Sequence, residues 1–245
     1  MKFENTDVWG FVHALRGMRN PKNSWDRSDS YIENGRVVIG NNDMKLAQTL
    51  VRAGSEHRKF MRQIFVAVDI TAPLYWWKEF DTYKVGTVAN STSTMHKLTA
   101  QPITLECFET DDYLPTLVFE RGTDDHGDTP WDYDLMVDDV IGTNETSFFF
   151  NETLIGFLES LRQIYVKTGD KRYWKELIRW LPESWLQKRT VTMNYENVFA
   201  IVHQRQNHKL NEWSGKDNPM LPNFVAWAKT LPYSNELLFG GNYED

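Results

Sequence analysis

The pattern of hydrophobic positions predicts one buried strand and several amphipathic helices. The run from Arg62 to Thr71 is rich in β-branched residues, which favours a mostly buried strand that Ala72-Pro73 ends. Elsewhere apolar residues recur three and four positions apart, which is the spacing of one helix face. We expect helices at about residues 41–53, 74–83, 146–168, 171–180, 195–213 and 221–230.

The remaining segments are polar, and we expect most of them to be loops. Residues 1–42 are rich in turn-forming residues, with a short strand at best from Arg36 to Ile39. Residues 86–94 contain many small hydroxyl residues, which favour a turn and also make good phosphate contacts. Residues 108–146 are acidic and irregular, and they lack the alternating ligands of a calcium loop. We therefore expect a solvated insertion there.

Composition narrows the class of protein only slightly. The 245 residues carry a formal net charge of −7, which disfavours a general nucleic-acid or anionic-membrane surface but permits binding of one small nucleotide. The single Cys107 excludes an internal disulfide. Because the chain shows neither an apolar signal core after Met1 nor a membrane-length apolar run, we expect a cytoplasmic protein without membrane partners. The ten Trp residues favour stacking on flat ligands or a subunit interface, besides core packing.

Three segments appear in an order that resembles a known family. Glu56-His57 precedes the predicted strand, and the segment from Trp77 to His96 follows it. Later come Leu181-Pro182, then Asn194 twelve residues after Pro182, and Arg205 eleven residues further on. The order and spacing are similar to those of flavin-dependent thymidylate synthases, across roughly residues 41–105 and 146–215. In that family a Glu-His pair, an Arg-His-Arg-x-x-Ser motif on a helix, Leu-Pro, an Asn and an Arg follow one another.

The motif itself departs from the family pattern. Thr82, Tyr83 and Lys84 stand where the family has Arg-His-Arg, and Thr87 stands for the Ser that follows. The remaining differences are Ser91 for Glu, Met95-His96 for Arg-Tyr and Glu79 for the usual Gln, whereas Asn90 and Ser93 match if Ala89 is an insertion. The resemblance is therefore better support for the fold than for the reaction.

The resemblance implies an α+β fold in which helices flank a central β-sheet. It implies a single domain over residues 1–245, with an N-terminal extension at about 1–40 and an acidic insertion at about 108–146. Residue by residue, it places FAD against Glu56, Tyr83, Lys84 and Asn194. It places the nucleotide against Glu79, Thr82, Asn90, Ser91, Ser93 and Arg205, with Arg205 also activating the base.

The same resemblance implies the reaction and its partners. The reaction would be the reductive methylation of dUMP to dTMP, with methylenetetrahydrofolate as the carbon donor and NADPH as the reductant of FAD. The partner would be a small-molecule nucleotide rather than a nucleic acid polymer, and the protein would form a homotetramer with sites between subunits. We expect no metal site, since His203 and His208 lie at i and i+5 rather than at the i and i+4 of a helical metal pair.

The individual residues also have plain structural interpretations. Asn194 precedes a predicted helix and suits an N-cap, and Glu56 suits a capping role. Tyr83 suits either stacking on a flat ring or core packing, and Arg205 suits an ordinary place on a helix surface. Two other functions therefore stay open: a related pyrimidine modification such as hydroxymethylation, and non-catalytic nucleotide binding by a protein that keeps only the fold.

Overall fold

A computed structural model of the chain describes residues 1–110, 118–121, 133–136 and 150–240. These residues form two compact units, the first from Met1–Ser91 with the chain from Gln187 onward, and the second from Thr92–Leu186. The strands are β1 (Lys2–Trp9), β2 (Tyr31–Glu33), β3 (Arg36–Val38), β4 (Phe65–Pro73), β5 (Val88–Ser91), β6 (Val118–Arg121), β7 (Tyr133–Met136) and β8 (Leu186–Asn194). The helices are α1 (Phe11–Arg19), α2 (Asn41–Arg52), α3 (Leu74–Phe80), α4 (Thr94–Lys97), α5 (Phe150–Thr168), α6 (Lys171–Trp180), α7 (Tyr195–Arg205), α8 (Asn211–Ser214), α9 (Phe224–Lys229) and α10 (Ser234–Leu237).

A four-stranded sheet in the order β1-β4-β8-β5 is the centre of the first unit. The predicted strand is confirmed as β4, whose alternate residues Val66, Val68 and Ile70 are buried. This alternation is the period of a pleated strand, so one face of β4 lies against the core. The neighbouring pairs β1–β4 and β5–β8 are both antiparallel.

Sequence analysis missed the first strand and the first helix. The prediction that residues 1–42 are mainly loops is wrong for α1, where Phe11, Leu15 and Met18 are buried at helical spacing. It is also wrong for β1, which pairs with β4 from Lys2↔Thr71 to Trp9↔Phe65. A bulge between Glu4 and Asp7 interrupts the pairing, and most of the side chains of β1 are exposed. An edge strand with so little buried surface leaves no hydrophobic alternation to detect. The short strand expected at 36–39 is confirmed as β3, which pairs with β2.

An aromatic core fixes helix α3 in the first unit. Trp76, Trp77 and Phe80 are buried, as the helical spacing predicted. The Trp76 ring lies 4.4 Å from the ring of Trp213 and 5.2 Å from that of Phe80, centroid to centroid. Helix α7 buries Val198, Ile201 and Val202 in the same core. Both helices are thus held by side chains that repeat at helical spacing.

The predicted helix at 195–213 is broken in the structure. Helix α7 ends at Arg205, and α8 begins only at Asn211. The segment between them contains a hydrogen bond from the His208 amide to the Arg205 carbonyl, which closes a turn after the helix. The helix predicted at 221–230 is shorter, because Asn223 caps α9 by accepting a hydrogen bond from the Ala226 amide.

The second unit contains its own small core. Leu98, Ile103, Leu158 and Leu177 are buried together there. The helices predicted at 146–168 and 171–180 are confirmed as α5 and α6, although residues 146–149 lie outside the described part of the chain. Of the acidic insertion predicted at about 108–146, the described residues beyond 110 form the antiparallel pair β6–β7, and the others lie outside the described part. Within the described ranges, no helix is both long and apolar enough to cross a membrane.

Candidate functional site

Arg205 lies at the centre of a polar cluster in the first unit. Its Nε donates to the Tyr83 hydroxyl at 2.8 Å, and its Nη1 lies 3.0 Å from Glu79 Oε2. The same Glu79 oxygen accepts a hydrogen bond from Trp213 Nε1 at 2.8 Å and lies 3.5 Å from His208 Nε2. Three residues that the resemblance assigned to ligands therefore lie in direct contact.

The packing of two helices and one indole ring sets the direction of the Arg205 side chain. Arg205 is in the last turn of α7, and Glu79 is in the last turn of α3. The guanidinium carbon lies 5.0 Å from the centroid of the Trp213 ring, which is within cation–π range. Only 19% of the Arg205 side chain is exposed, so few rotamers remain open to it. Such a fixed guanidinium suits recognition of a planar carbonyl or an anion.

The charge of Arg205 is balanced by Glu79 within this cluster. Glu79 is 33% exposed, so the ion pair is partly screened by water. A guanidinium has five N–H donors, and these two contacts leave others able to meet a ligand. The Tyr83 hydroxyl in turn donates to Gln204 Oε1 at 3.0 Å. The core-packing interpretation of Tyr83 is observed, since its ring packs on the core while its hydroxyl contacts Arg205, and stacking on a flat ligand stays a prediction.

Residues 83–87 run from the end of α7 back to its beginning. Near the beginning, Asn197 Nδ2 donates to the Val85 carbonyl at 2.6 Å. Gly86 packs so closely that an added Cβ would lie 2.9 Å from Asn194 Nδ2. Its φ of +77° is a conformation that glycine adopts readily. Lys84, next to Val85, is exposed to solvent.

The plain structural interpretation of Asn194 is confirmed, since it is the N-cap of α7. Its Oδ1 accepts from the Asn197 amide at 3.0 Å, and Asn197 Oδ1 accepts from the Asn194 amide at 3.4 Å. The two residues form a reciprocal capping box. The start of a helix favours anions, so Asn194 and the neighbouring Lys84 loop create a setting that suits a phosphate.

Glu56 lies in an exposed turn near a small ion cluster. Arg58 and Arg62 both pair with Glu196 in the first turn of α7. The hydrogen bond that Arg62 donates to Glu196 raises the pKa of Arg62, and the negative charges of Glu196 and, more weakly, of Glu56 act in the same direction. Glu56 therefore lies near the Arg62 guanidinium, although the capping role suggested for it is not observed among the contacts of the described residues.

The other predicted nucleotide residues are distributed over three elements. The Thr82 hydroxyl donates to the Glu79 carbonyl at 2.7 Å and closes the end of α3. Asn90 and Ser91 are exposed on the edge strand β5, opposite Thr190 and Arg189 of β8. Ser93 belongs to the second unit, where it caps α4 by accepting from the His96 amide at 3.3 Å. The roles of all these residues as ligands stay predictions.

Sequence reasoning missed several residues that build the site. Trp213 and His208 contact Glu79, and Asn197 holds the loop before β5. Arg189 stacks 4.2 Å from the Trp77 ring and pairs with Asp81 at 2.7 Å. Of these, only Asn197 has a signal in the local sequence, because it follows Asn194 at the three-residue spacing of a capping box. Among the described residues, no group of three or more His, Cys, Asp or Glu is arranged to hold a metal ion.

Comparisons with known proteins give a fold but no close relative. No family model matches the chain, and no curated protein is similar to it in sequence. The flavin-dependent thymidylate synthase ThyX from Helicobacter pylori, solved with FAD and dUMP, is 16% identical with a TM-score of 0.59, and the match covers 98% of each chain. The UMP/dUMP methylase PolB from Streptomyces cacaoi, bound with 5-Br UMP, is 14% identical with a TM-score of 0.56, over 98% of this chain and 93% of that one. This chain therefore has the α+β fold of the flavin-dependent thymidylate synthases, in a strongly diverged sequence.

Proposed function

We propose that this protein is an FAD-dependent enzyme that methylates a pyrimidine deoxynucleotide of the dUMP type. The observation that supports this most strongly is Arg205, a fixed guanidinium whose sequence position corresponds to the family's substrate arginine. The fold is shared with structures solved with FAD and dUMP or with a UMP analogue. Because fold alone does not determine function, the proposal depends on the arrangement around Arg205.

The residues around α7 fit the proposed flavin site chemically. Lys84 offers an exposed charge for a phosphate, in the loop that packs against the capped start of α7. Asn194 contacts the same loop at Gly86. Tyr83 offers an aromatic ring, and Glu56 lies in the turn before the Arg58–Gln63 segment. FAD, when bound, would supply the hydride for the reaction, while the protein would position and orient the partners.

On the substrate side, Arg205 would hold the pyrimidine base. Its free N–H groups can donate to a base carbonyl, and that contact draws electron density from the ring. Glu79 would orient Arg205, and Thr82, Asn90 and Ser91 would add hydroxyl and amide donors. By family resemblance, we propose that methylenetetrahydrofolate supplies the carbon and that NADPH is the reductant, in a cytoplasmic homotetramer.

Flavin content is the first test of the proposal. We expect the purified protein to carry the visible absorbance of an oxidised flavin, and Lys84→Ala to retain less of it. Lys45→Ala removes another exposed lysine, from α2, and is the matched control. A colourless protein that does not take up added FAD would refute the flavin role, and full flavin content in Lys84→Ala would exclude Lys84 from the site.

Non-catalytic nucleotide binding is the second candidate, and one observation favours it. Glu79 neutralises Arg205, whereas the family usually has an uncharged Gln at that position. A neutralised arginine polarises a base less strongly than a free one. Binding of dUMP without NADPH-dependent bleaching of the flavin would support this candidate over the enzyme.

A test of assembly is independent of both functions. Exposed aromatic side chains such as Trp9 and Phe65 provide apolar surface for contacts between subunits. We expect light scattering to report a homo-oligomer, with a tetramer as the proposed form. A monomer at micromolar concentration would count against a site shared between subunits.

A further inference from the structure

A cavity of about 550 Å³ opens beside helix α1 in the first unit. The turn that contains Trp25 and the hairpin β2–β3 complete its walls. Small-molecule sites in proteins have volumes of about 300–1,000 Å³, so the cavity is large enough for such a ligand. The residues that line it include none of those assigned above to FAD or to the nucleotide.

The floor of the cavity is formed by a buried ion pair in which Arg19 and Asp43 neutralise each other. Arg19 Nε lies 2.5 Å from Asp43 Oδ1, and the two side chains are 5% and 0% exposed. The hydroxyls of Ser28 and Ser30 both donate to Asp43 Oδ2. Because breaking a buried pair is costly, this floor is a rigid and electrically neutral support.

The rim of the cavity is apolar and exposed. Val12, Trp25, Tyr31 and Ile32 are between 46% and 64% exposed, although all four are large hydrophobic residues. Trp25 Nε1 donates to Asn20 Oδ1 at 2.9 Å, and this bond fixes the orientation of the indole ring. Exposed apolar side chains gathered around one opening are typical of binding sites, and two aromatic rings favour a flat partner.

The lining also contains a cation without a partner. The Arg16 side chain is exposed, and within the described ranges it makes no ion pair or hydrogen bond. Arg19 is neutralised by Asp43, so Arg16 gives the opening a local positive charge in a chain whose net charge is −7. An anionic group on the ligand would satisfy it.

We propose that this cavity binds a planar aromatic ligand with one anionic group. Trp25 and Tyr31 contact the ring, and Arg16 contacts the anion. The two halves of the site, aromatic rim and single cation, make separate contributions to affinity. They can therefore be tested separately.

The test uses two dyes that share a ring system and differ in charge. 8-Anilinonaphthalene-1-sulfonate carries one anionic group, and 1-anilinonaphthalene carries none. In fluorescence titrations we expect one saturable site per chain for the sulfonate. Arg16→Gln should weaken the sulfonate about three- to tenfold and leave the neutral dye unchanged, since an exposed ion contact contributes modestly. Trp25→Ala should weaken both dyes.

Two control variants make the same chemical changes elsewhere. Arg36→Gln removes an exposed arginine from the same hairpin without touching the lining, and Trp180→Ala removes a tryptophan that is 58% exposed in the second unit. Both should bind the dyes like the parent chain. The proposal would be overturned if Arg16→Gln and Trp25→Ala bound the sulfonate dye as tightly as the parent chain does. Binding of the dye to many equivalent sites would also overturn it. If melting shows that Trp25→Ala is unfolded, Tyr31→Ala takes its place.

Discussion

Glu79 and Arg205, from helices far apart in the chain, form an ion pair of 3.0 Å at the centre of the candidate site. Trp213 contacts both partners, through a hydrogen bond to Glu79 and ring stacking on Arg205. The pair has two opposing effects on a ligand. It orients the guanidinium, and it also offers that guanidinium an anion against which any incoming nucleotide must compete.

Replacing Glu79 separates these two effects. Glu79→Gln keeps an acceptor for Trp213 but removes the competing charge, so dUMP should bind about three- to tenfold more tightly at low salt. Isothermal titration of parent and variant measures the change. Glu236→Gln removes a charge from α10 in the same unit and should leave dUMP affinity unaltered. Weaker binding of dUMP by Glu79→Gln would show that the carboxylate helps more by orienting Arg205 than it hinders by competing with the nucleotide for the guanidinium.

Arg205→Lys tests the guanidinium itself. Lysine keeps the charge but not the planar fork, so nucleotide affinity should fall about ten- to a hundredfold, equivalent to about 1.5–3 kcal/mol. The packing of the half-buried Arg205 against Trp213 and Tyr83 also predicts some loss of stability, in contrast to a side chain in an open cleft. Titration and thermal melting should be measured side by side. Unchanged affinity per folded molecule would leave Arg205 with a structural role alone.

Gly86 and Gly35 form a matched pair of positive-φ positions. Their φ angles are +77° and +75°, so alanine should cost each about 1–2 kcal/mol of unfolding free energy. An added Cβ at Gly35 meets no atom within 4 Å, whereas at Gly86 it meets Asn197 Oδ1 at 2.7 Å. We therefore expect Gly86→Ala to be the less stable variant in denaturant unfolding and to retain less flavin. Equal losses of unfolding free energy in Gly86→Ala and Gly35→Ala would mean that the loop of residues 83–87 shifts away from α7 at little cost.

Trp76 and Trp77 lie in the same core, and comparing their variants measures what one indole hydrogen bond contributes to stability. Both rings are fully buried, but Trp77 Nε1 donates to the Gln187 carbonyl at 2.9 Å. Trp76 Nε1 is buried without a partner in the part of the chain that the structure describes. Trp77→Phe should therefore destabilise the protein by about 0.5–1.5 kcal/mol more than Trp76→Phe, because only Trp77→Phe removes the hydrogen bond to the Gln187 carbonyl. Urea unfolding of the two variants measures the difference, and the reverse order would contradict it.

Glu159 should make the second unit sensitive to acid. The Arg162 hydrogen bond, opposed by burial and helped by bonds from the Ile103 amide and Gln163, lowers the pKa of Glu159 from 4.5 to about 2. Because the folded-state pKa is depressed, the stabilisation is complete above about pH 4.5 and is lost as pH falls toward 2. Glu159→Gln should thus cost about 1–2 kcal/mol near neutral pH and progressively less in acid. Melting curves across this range test the trend, with Glu176→Gln as the control, since Glu176 pairs with Arg179 but is more exposed, 36% against 19% for Glu159.

The sequence allowed prediction of those parts of the fold whose signal is local. Strand β4 and helix α3 bury alternate and helically spaced residues, and the capping pattern at Asn194 depends on neighbours three positions away. The contact between Tyr83 and Arg205 joins residues 122 positions apart, so no window of sequence contains it. Strand β1 lacked a pattern because its side chains are mostly exposed, and it is stabilised by backbone pairing to β4 instead.

The strand order has a consequence for synthesis of the chain. Strand β8 lies between β4 and β5 in the sheet, yet it follows β5 only after the whole second unit has been made. On the ribosome, β1 can pair with β4 early, whereas β5 cannot pair until β8, about a hundred residues downstream, has been synthesised. The sheet of the first unit therefore stays incomplete until β8 has been synthesised. A chain released before Leu186 would leave one edge of β4 unpaired, and an unpaired edge promotes association with other chains.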